Sequence, residues 1–221
     1  MVLGIDTATD VCAVGLVDGE RDLADLALLK PRGHGARLAG LVQAALDAAG
    51  ASPQDLRAVA VSSGPGSYTG LRIGASTAKG LCLATGAALV SVPTLAALAE
   101  GASEQTGGAA ILTVLPSRRG EVYAATFRAM EGGGMETLRE ATPLALDDVA
   151  AWVPPSDEIA VVGPATEAVL PLLGPEAFAP GGRVSGLTVA RIGRQRAAAG
   201  ETEDVAAFEP AYLKPFVSGG V

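Results

Sequence analysis

Short apolar runs and longer periodic segments follow one another along the first hundred positions. Apolar runs are typical of strands, whereas apolar residues that recur every three or four positions are typical of amphipathic helices. The predicted strands are residues 2–5, 11–17, 22–29, 58–61 and 88–92, and the predicted helices are residues 35–49, 71–84 and 94–100. Residues 22–29 also suit a helix by composition, but the Asp18-Gly19 turn before them favours a hairpin strand.

The second half of the chain repeats this order of elements. The predicted strands are residues 109–115, 122–127, 135–140 and 159–162, and the predicted helices are residues 146–152, 165–173 and 188–199. The glycine-rich stretch 101–108 separates the halves, so we predict two domains, residues 1–102 and 103–221, with the placement of residues 201–221 left open. The predicted fold class is α/β, with two tandem ribonuclease-H-like lobes and a cleft between them, the ASKHA architecture of actin, sugar kinases and Hsp70.

Composition and charge narrow the classes of function. Hydrophobic residues make up 49% of the 221 residues and charged residues 18%, which is enough apolar material for a buried core. The formal net charge of -8 repels a phosphate backbone and only 4% of residues are aromatic, so neither autonomous nucleic-acid binding nor a base-stacking platform is expected. No apolar run approaches the roughly 20 residues that span a bilayer. The first residues lack the positively charged segment with which a signal peptide begins, so we expect a cytoplasmic protein.

Metal-ligating and nucleophilic residue types are scarce. His34 is the single histidine, which excludes a metal site built on two histidines of one chain. Its glycine-rich surroundings favour a surface or helix-start position over a catalytic one. Cys12 and Cys82 lie in apolar segments and are expected to be buried, reduced thiols. We therefore predict no catalytic residue and no metal site in this chain.

An acidic, hydroxyl-bearing turn follows the first predicted strand. Asp6, Thr7 and Thr9 occupy the position where nucleotide-binding members of this architecture hold Mg²⁺ and phosphate, so they form a candidate vestigial nucleotide site. The alternative is that these side chains satisfy backbone groups of a tight turn. The corresponding turn of the second half, residues 115–119, has no carboxylate, so half of the expected nucleotide clamp is missing.

A glycine-rich loop joins the fourth predicted strand to the following helix. Its candidate residues are Gly64, Pro65, Gly66, Ser67 and Thr69. The loop lacks the lysine of a Walker A motif, and Thr69 stands where a dinucleotide fingerprint has its third glycine. Free N–H groups at the helix start leave weak anion binding open, whereas Ser67 or Thr69 can cap those groups internally. We favour the capped structural turn.

Small residues form a line along each of two predicted helices. The lines are Gly70, Gly74 and Ala78 on one helix, and Ala36, Gly40, Ala44 and Ala48 on the other, with a spacing of four residues. Glycine costs up to about 1 kcal/mol in a helix interior, and close packing against something would offset that cost. The alanines by themselves are equally consistent with plain helix preference in an alanine-rich chain.

Motifs along the whole chain resemble the TsaB (YeaZ) family. The glycine-rich block Gly64-Pro65-Gly66-Ser67-Tyr68-Thr69-Gly70-Leu71-Arg72-Ile73-Gly74, followed by Lys79-Gly80, is highly specific. The other matches are Ile5-Asp6-Thr7-Ala8-Thr9, Arg119-Gly120-Glu121-Val122-Tyr123 and Pro210-Ala211-Tyr212-Leu213-Lys214. Two segments differ from the family pattern: His34-Gly35-Ala36 replaces His-Ser-Glu, and Pro116-Ser117-Arg118 replaces Asp-Ala-Arg.

The resemblance implies a non-catalytic subunit of the bacterial machinery that places threonylcarbamoyl on adenosine 37 of tRNA. The implied partners are TsaD, a catalytic homologue with the same fold and its own metal site, and the ATPase TsaE through the complex. It further implies tRNA binding mainly through the complex and no membrane. Self-association through the surface that pairs with TsaD is an option that the resemblance allows, and whether the isolated chain is a monomer or a homodimer stays open. ATP, ADP and metal are expected on the partner subunits and not on the isolated chain.

The resemblance also assigns the partner interface to the two helices of the first lobe. The implied interface residues are Ala36, Gly40, Ala44, Asp47, Gly70, Arg72, Gly74 and Ala78. We expect Arg72 or Lys79 to contact the partner or an anion, the alternative being a solvated surface charge. Two other functions stay open: a degenerate ASKHA-type ATPase that binds nucleotide in the interlobe cleft, and a glycoprotease-like peptidase, which the single histidine disfavours.

Overall fold

The computed structural model describes residues 1–29, 34–131, 133–156 and 158–214, and it describes His34 through its backbone alone. The expectation for the His34 side chain therefore lies outside the described part of the chain. Within that part, no helix combines the length and the apolar character needed to cross a membrane.

The first half of the chain forms a five-stranded mixed sheet. Its strands are β1 (Val2–Asp6), β2 (Val11–Asp18), β3 (Arg21–Leu29), β4 (Ala58–Gly64) and β5 (Ala88–Pro93). They lie in the order β3-β2-β1-β4-β5, with β2 antiparallel to β1 and β3, and with β4 parallel to β1 and β5. The central strands β1 and β4 are buried along their whole length, which explains their continuous apolar runs. The hairpin interpretation of β3 is confirmed.

The second half forms a sheet of the same topology. Its strands are β6 (Ala110–Pro116), β7 (Glu121–Ala129), β8 (Met135–Ala145), β9 (Ile159–Val162) and β10 (Ala177–Phe178), in the order β10-β9-β6-β7-β8. β6, β7 and β8 are antiparallel neighbours, and β9 runs parallel to β6 and β10. The predicted tandem ribonuclease-H-like fold class is therefore confirmed. β10 was not predicted because two residues are too short to produce a periodic signal.

Helices separate and flank the two sheets. They are α1 (His34–Ala48), α2 (Tyr68–Thr85), α3 (Thr94–Ala102), α4 (Val149–Trp152), α5 (Thr166–Val169) and α6 (Gly186–Ala198). α1 and α2 cover the outer face of the first sheet, and α4 and α5 contribute to the apolar cluster on the outer face of the second. α3 and α6 lie between the sheets, where side chains of both sheets share one core with them. We call the first sheet with α1 and α2 the first lobe, and the second sheet with α4 and α5 the second lobe.

Helix α6 belongs to the second half of the sequence but packs on the first sheet. A Cβ at Gly4 in β1 would overlap Gly186 O and Ala190 N, so glycine at this position lets α6 approach the strand closely. Ion pairs from Arg191 to Asp22 and from Arg194 to Glu20 join α6 to the edge of the same sheet. The division at residues 102 and 103 stays a prediction. The structure shows that α6, which follows this division in the sequence, packs on the sheet that precedes it.

The segment after α6 also lies on the first lobe. Glu203 forms an isolated bridge with Leu89 of β5, and Phe208 is buried in the cluster between the first sheet and its outer helices. We call residues 203–214 the C-terminal strap. This placement answers the open question for residues 201–214, while residues 215–221 lie outside the described chain.

Candidate functional site

The glycine-rich loop is a capped helix start. The Ser67 side chain accepts a hydrogen bond from Gly70 N at 3.2 Å and is the N-cap of α2, so the capping prediction is confirmed for Ser67. α2 begins at Tyr68, three residues earlier than predicted, which places Thr69 inside the first turn, where it cannot be the cap. At the other end, Gly86 has a φ of 76° and forms the C-cap.

Backbone atoms of the protein fill the space beside the loop glycines. Ser67 N donates a hydrogen bond to Ala8 O at 2.7 Å, and a Cβ at Gly66 would overlap that same oxygen. Gly64 has a φ of 110°, and a Cβ there would lie 2.6 Å from Ala211 O of the C-terminal strap. The loop packs between the turn after β1 and the strap, which is why this stretch needs a bare backbone.

The small-residue line of α2 faces inward. Gly70, Gly74 and Ala78 are buried, and Cβ atoms at the two glycines would overlap Thr7 O and Thr7 Oγ1, respectively. The prediction that these three residues contact a partner is corrected by this finding: the line supports close packing of α2 on the end of β1. The residues of α2 that are exposed on its opposite side are Thr69, Arg72, Ser76, Gly80, Leu83 and Ala84.

The small-residue line of α1 faces outward. Ala36, Gly40, Ala44 and Asp47 are all exposed, and a Cβ at Gly40 would meet open space. Larger apolar residues of the helix, such as Leu38 and Leu46, are buried in the cluster below. The two helices contact each other, so their exposed sides adjoin. We call Ala36, Gly40, Ala44 and Asp47 of α1, with Ser76, Gly80, Leu83 and Ala84 of α2, the α1–α2 face.

Leu83 is the large apolar side chain of the α1–α2 face. It is 77% exposed, while most of the residues around it are alanine, glycine or serine. A flat surface of small side chains next to one exposed leucine can pack closely against another helix. Sequence reasoning missed the outward line Ser76, Gly80 and Ala84 because it has the same spacing of four residues as the buried line.

The acidic turn after β1 is closed by internal hydrogen bonds. Asp6 is fully buried and accepts a hydrogen bond from Ser62 Oγ, and Thr7 Oγ1 donates to Gly70 O at 2.7 Å. Thr9 Oγ1 accepts from Val11 N at 3.2 Å. Burial raises the pKa of Asp6 to about 7, against lowering contributions from Ser62 and the Ala8 amide. Asp6 and Thr7 therefore bond groups outside the turn, Thr9 alone bonds a backbone group within it, and Asp6 Oδ1 is buried without a hydrogen bond to the described residues.

A cleft of about 700 Å³ separates the lobes in front of this turn. Its walls include the start of α2, the end of β6 and the end of the strap, and it contains all three tyrosines of the chain, Tyr68, Tyr123 and Tyr212. The rings of Tyr68 and Tyr212 lie 5.0 Å apart, and Arg118 and Lys214 add positive charge to the walls. Of the three candidate nucleotide-site residues, Thr9 lines the cleft, whereas Asp6 and Thr7 do not.

The two cationic side chains of α2 form hydrogen bonds within the protein. Lys79 Nζ donates to the carbonyl oxygens of Ala206 and Phe208 at 3.0 and 3.1 Å. Arg72 is exposed, and its Nη1 donates to Tyr68 Oη at 2.7 Å. The expectation that one of them contacts a partner or an anion stays a prediction, with Arg72 the more accessible of the two.

The remaining chemistry-bearing residues are buried or dispersed. Cys12 and Cys82 are buried free thiols, as expected, and burial raises the pKa of each to about 11. Among the described residues, no group of three or more histidine, cysteine or acidic side chains is arranged to hold a metal ion.

Comparisons with known proteins find a TsaD family model and relatives named TsaB or YeaZ. Residues 29–212 match the family described as "TsaD: tRNA N6-adenosine threonylcarbamoyltransferase". The chain is 39% identical over 132 residues to the tRNA threonylcarbamoyladenosine biosynthesis protein TsaB of Escherichia coli (strain K12), an alignment that covers 60% of this chain and 57% of that protein. The chain thus spans little more than half the length of this curated relative.

A mycobacterial relative and a solved structure cover far more of the chain. Uncharacterized protein Mb3455c of Mycobacterium bovis is 35% identical over 194 residues, which are 83% of each chain. The structure of YeaZ from Pseudomonas aeruginosa superposes with a TM-score of 0.83 at 27% identity and covers 96% of this chain and 99% of that one. The chain belongs to the TsaB/YeaZ family.

Proposed function

We propose that this protein is a non-catalytic subunit that pairs with a TsaD-type protein during threonylcarbamoylation of adenosine 37 in tRNA. The observation that carries the proposal is the α1–α2 face, an exposed surface of small residues on two adjoining helices. The names of the TsaB relatives, which refer to threonylcarbamoyladenosine biosynthesis, support the pathway.

The state of the acidic turn supports a non-catalytic role. Asp6 lies away from solvent with a pKa near neutrality, and the Thr7 hydroxyl is bonded to Gly70 O, so neither is presented to a nucleotide in the cleft. We accordingly expect ATP, ADP and metal to bind partner subunits, with a TsaE-type ATPase joining through the complex. With a net charge of -8, this subunit is expected to leave most tRNA contact to its partners.

The test is co-expression with the TsaD-type protein of the same organism, followed by affinity purification and size exclusion. Gly40→Leu and Gly80→Leu each place a large side chain on the α1–α2 face, where a Cβ meets open space, so the fold is kept. Replacing a helix-interior glycine also favours the helix by up to about 1 kcal/mol, so lost binding cannot be ascribed to unfolding. We expect each variant to reduce recovery of the complex by about tenfold or more, because the added side chain prevents close helix approach.

Ala198→Leu is the matched control, since Ala198 is an exposed small residue of α6, away from the α1–α2 face. This variant is expected to retain the complex. Equal recovery of the parent chain, Gly40→Leu and Gly80→Leu would contradict this surface as the interface. Saturable micromolar binding of Mg²⁺-ATP to the isolated chain by calorimetry would favour the ATPase alternative instead.

A further inference from the structure

The C-terminal strap is anchored to the first lobe at several points. Glu203 N donates to Leu89 O at 2.8 Å, and its carboxylate accepts a hydrogen bond from Ser91 Oγ. Further along, Phe208 is 8% exposed within the apolar cluster, and Ala211 N donates to Ser63 O at 2.7 Å. Because these contacts recur along most of its length, the strap is attached to the first lobe.

Helix α2 adds a second set of contacts to the same segment. Lys79 Nζ bonds two strap carbonyls, at Ala206 and Phe208, and the Tyr212 ring packs on Tyr68 at the start of the helix. Of these contacts, the one between Tyr68 and Tyr212 lies at the interlobe cleft, which both residues line.

The end of the strap reaches the other lobe. Lys214 forms an ion pair with Glu121, the first residue of β7. The Lys214 and Glu121 side chains are 19% and 33% exposed, so water and salt screen this pair less than a pair on the open surface. Since Lys214 also lines the cleft, the pair spans the boundary between the lobes at the cleft wall.

We propose that the Lys214–Glu121 ion pair is an interlobe latch that holds the cleft at its present width. The strap is attached to the first lobe, Glu121 belongs to the second, and the shared α3–α6 layer connects the lobes below the cleft. With the pair formed, the second lobe is tied to the first at the cleft as well as through that layer. When the pair is broken, the contact at the cleft wall is lost and the lobes sample wider separations.

Distance measurements between spin labels on the two lobes test the latch. Labels at Ala48→Cys in α1 and Glu140→Cys in β8 report the separation of the lobes, since both positions are exposed and both native cysteines are buried. In the labelled parent we expect one narrow distance distribution. Lys214→Met and Glu121→Gln are each expected to broaden it and to shift it to longer distances, and the double variant is expected to match the single ones.

Hydrogen exchange provides a second readout. Loss of the latch is expected to accelerate exchange of the Ala211 amide by about fivefold, as the loss of a partly screened ion pair allows. Arg128→Met is the matched control, because it removes the more exposed pair with Glu136 within the second sheet and leaves the strap intact. Distance distributions of Lys214→Met or Glu121→Gln that coincide with those of the parent and Arg128→Met would overturn the latch. Because Glu121→Gln keeps side-chain size, it decides the case if Lys214→Met fails to fold.

Discussion

At the scale of single residues, Asp6 shows how the fold uses an acidic group at the end of a buried strand. Its neighbours are Ser62, which donates a hydrogen bond to the carboxylate, and the backbone of Ala8. Burial outweighs these contacts and raises the pKa from 3.8 to about 7. The ionised carboxylate is therefore less stable in the folded than in the unfolded protein.

The raised pKa of Asp6 predicts that the unfolding free energy depends on pH, and Asp6→Asn removes this dependence. Between pH 4 and pH 7, the folded state binds a proton at Asp6 that the unfolded state has released, so this group stabilises the fold at low pH and loses that contribution as the pH rises through about 7. Relative to Asp6→Asn, the parent protein is expected to lose roughly 3 kcal/mol of unfolding free energy over this range. Urea denaturation of both proteins at several pH values measures the difference, and parallel pH profiles would contradict the raised pKa.

At the scale of elements, α2 carries two lines of small residues with different surroundings. Gly70, Gly74 and Ala78 pack against the end of β1, whereas Ser76, Gly80 and Ala84 face outward. The first line is required by the internal packing of the lobe. The second line is open and forms part of the α1–α2 face.

Alanine substitution separates the two lines. Gly74→Ala is expected to lower the unfolding free energy by about 1–3 kcal/mol, because its Cβ would overlap Thr7 Oγ1. Gly80→Ala is expected to raise it by up to about 1 kcal/mol, because its Cβ meets open space and alanine favours the helix. Urea midpoints measured side by side test the pair, and a stabilising Gly74→Ala would contradict the inward orientation.

At the scale of the whole molecule, the two lobes share one apolar layer. Val2 and Val90 of the first sheet, Leu98 of α3, Val189 of α6 and Ile111 of the second sheet belong to the same buried cluster. Complete separation of the lobes would therefore expose that cluster to water, and each lobe stabilises the other.

Unfolding is therefore expected to be a single transition. Trp152, the single tryptophan, reports on the second lobe by fluorescence, while far-UV circular dichroism is dominated by the long helices α1, α2 and α6. The two urea midpoints are expected to coincide, and Gly74→Ala in the first lobe is expected to shift both equally. Two separated midpoints would show that the lobes unfold independently.

The amino-acid sequence by itself determined the features that depend on neighbouring residues. The periods of the apolar residues located most of the helices and strands, and the repeated element order indicated two lobes of one topology. Ser67 and Thr69 were the two candidate helix caps, and the structure selected Ser67. The motifs of the chain pointed to the family that the comparisons then showed. The elements and the cap are encoded within a turn or within one element, and the element order and the motifs are read along the chain, so all of them are visible without the fold.

Only the tertiary structure decided which side of each helix faces the sheet and which residues distant in sequence are in contact. A spacing of four residues defines a line on a helix but not the side on which the sheet lies, which is why Gly70 and Gly74 were assigned to a partner and prove to be internal. The placement of α6 on the first sheet and the Lys214–Glu121 contact join residues far apart in sequence. Such contacts depend on the packing of the entire apolar core, and no local pattern specifies them.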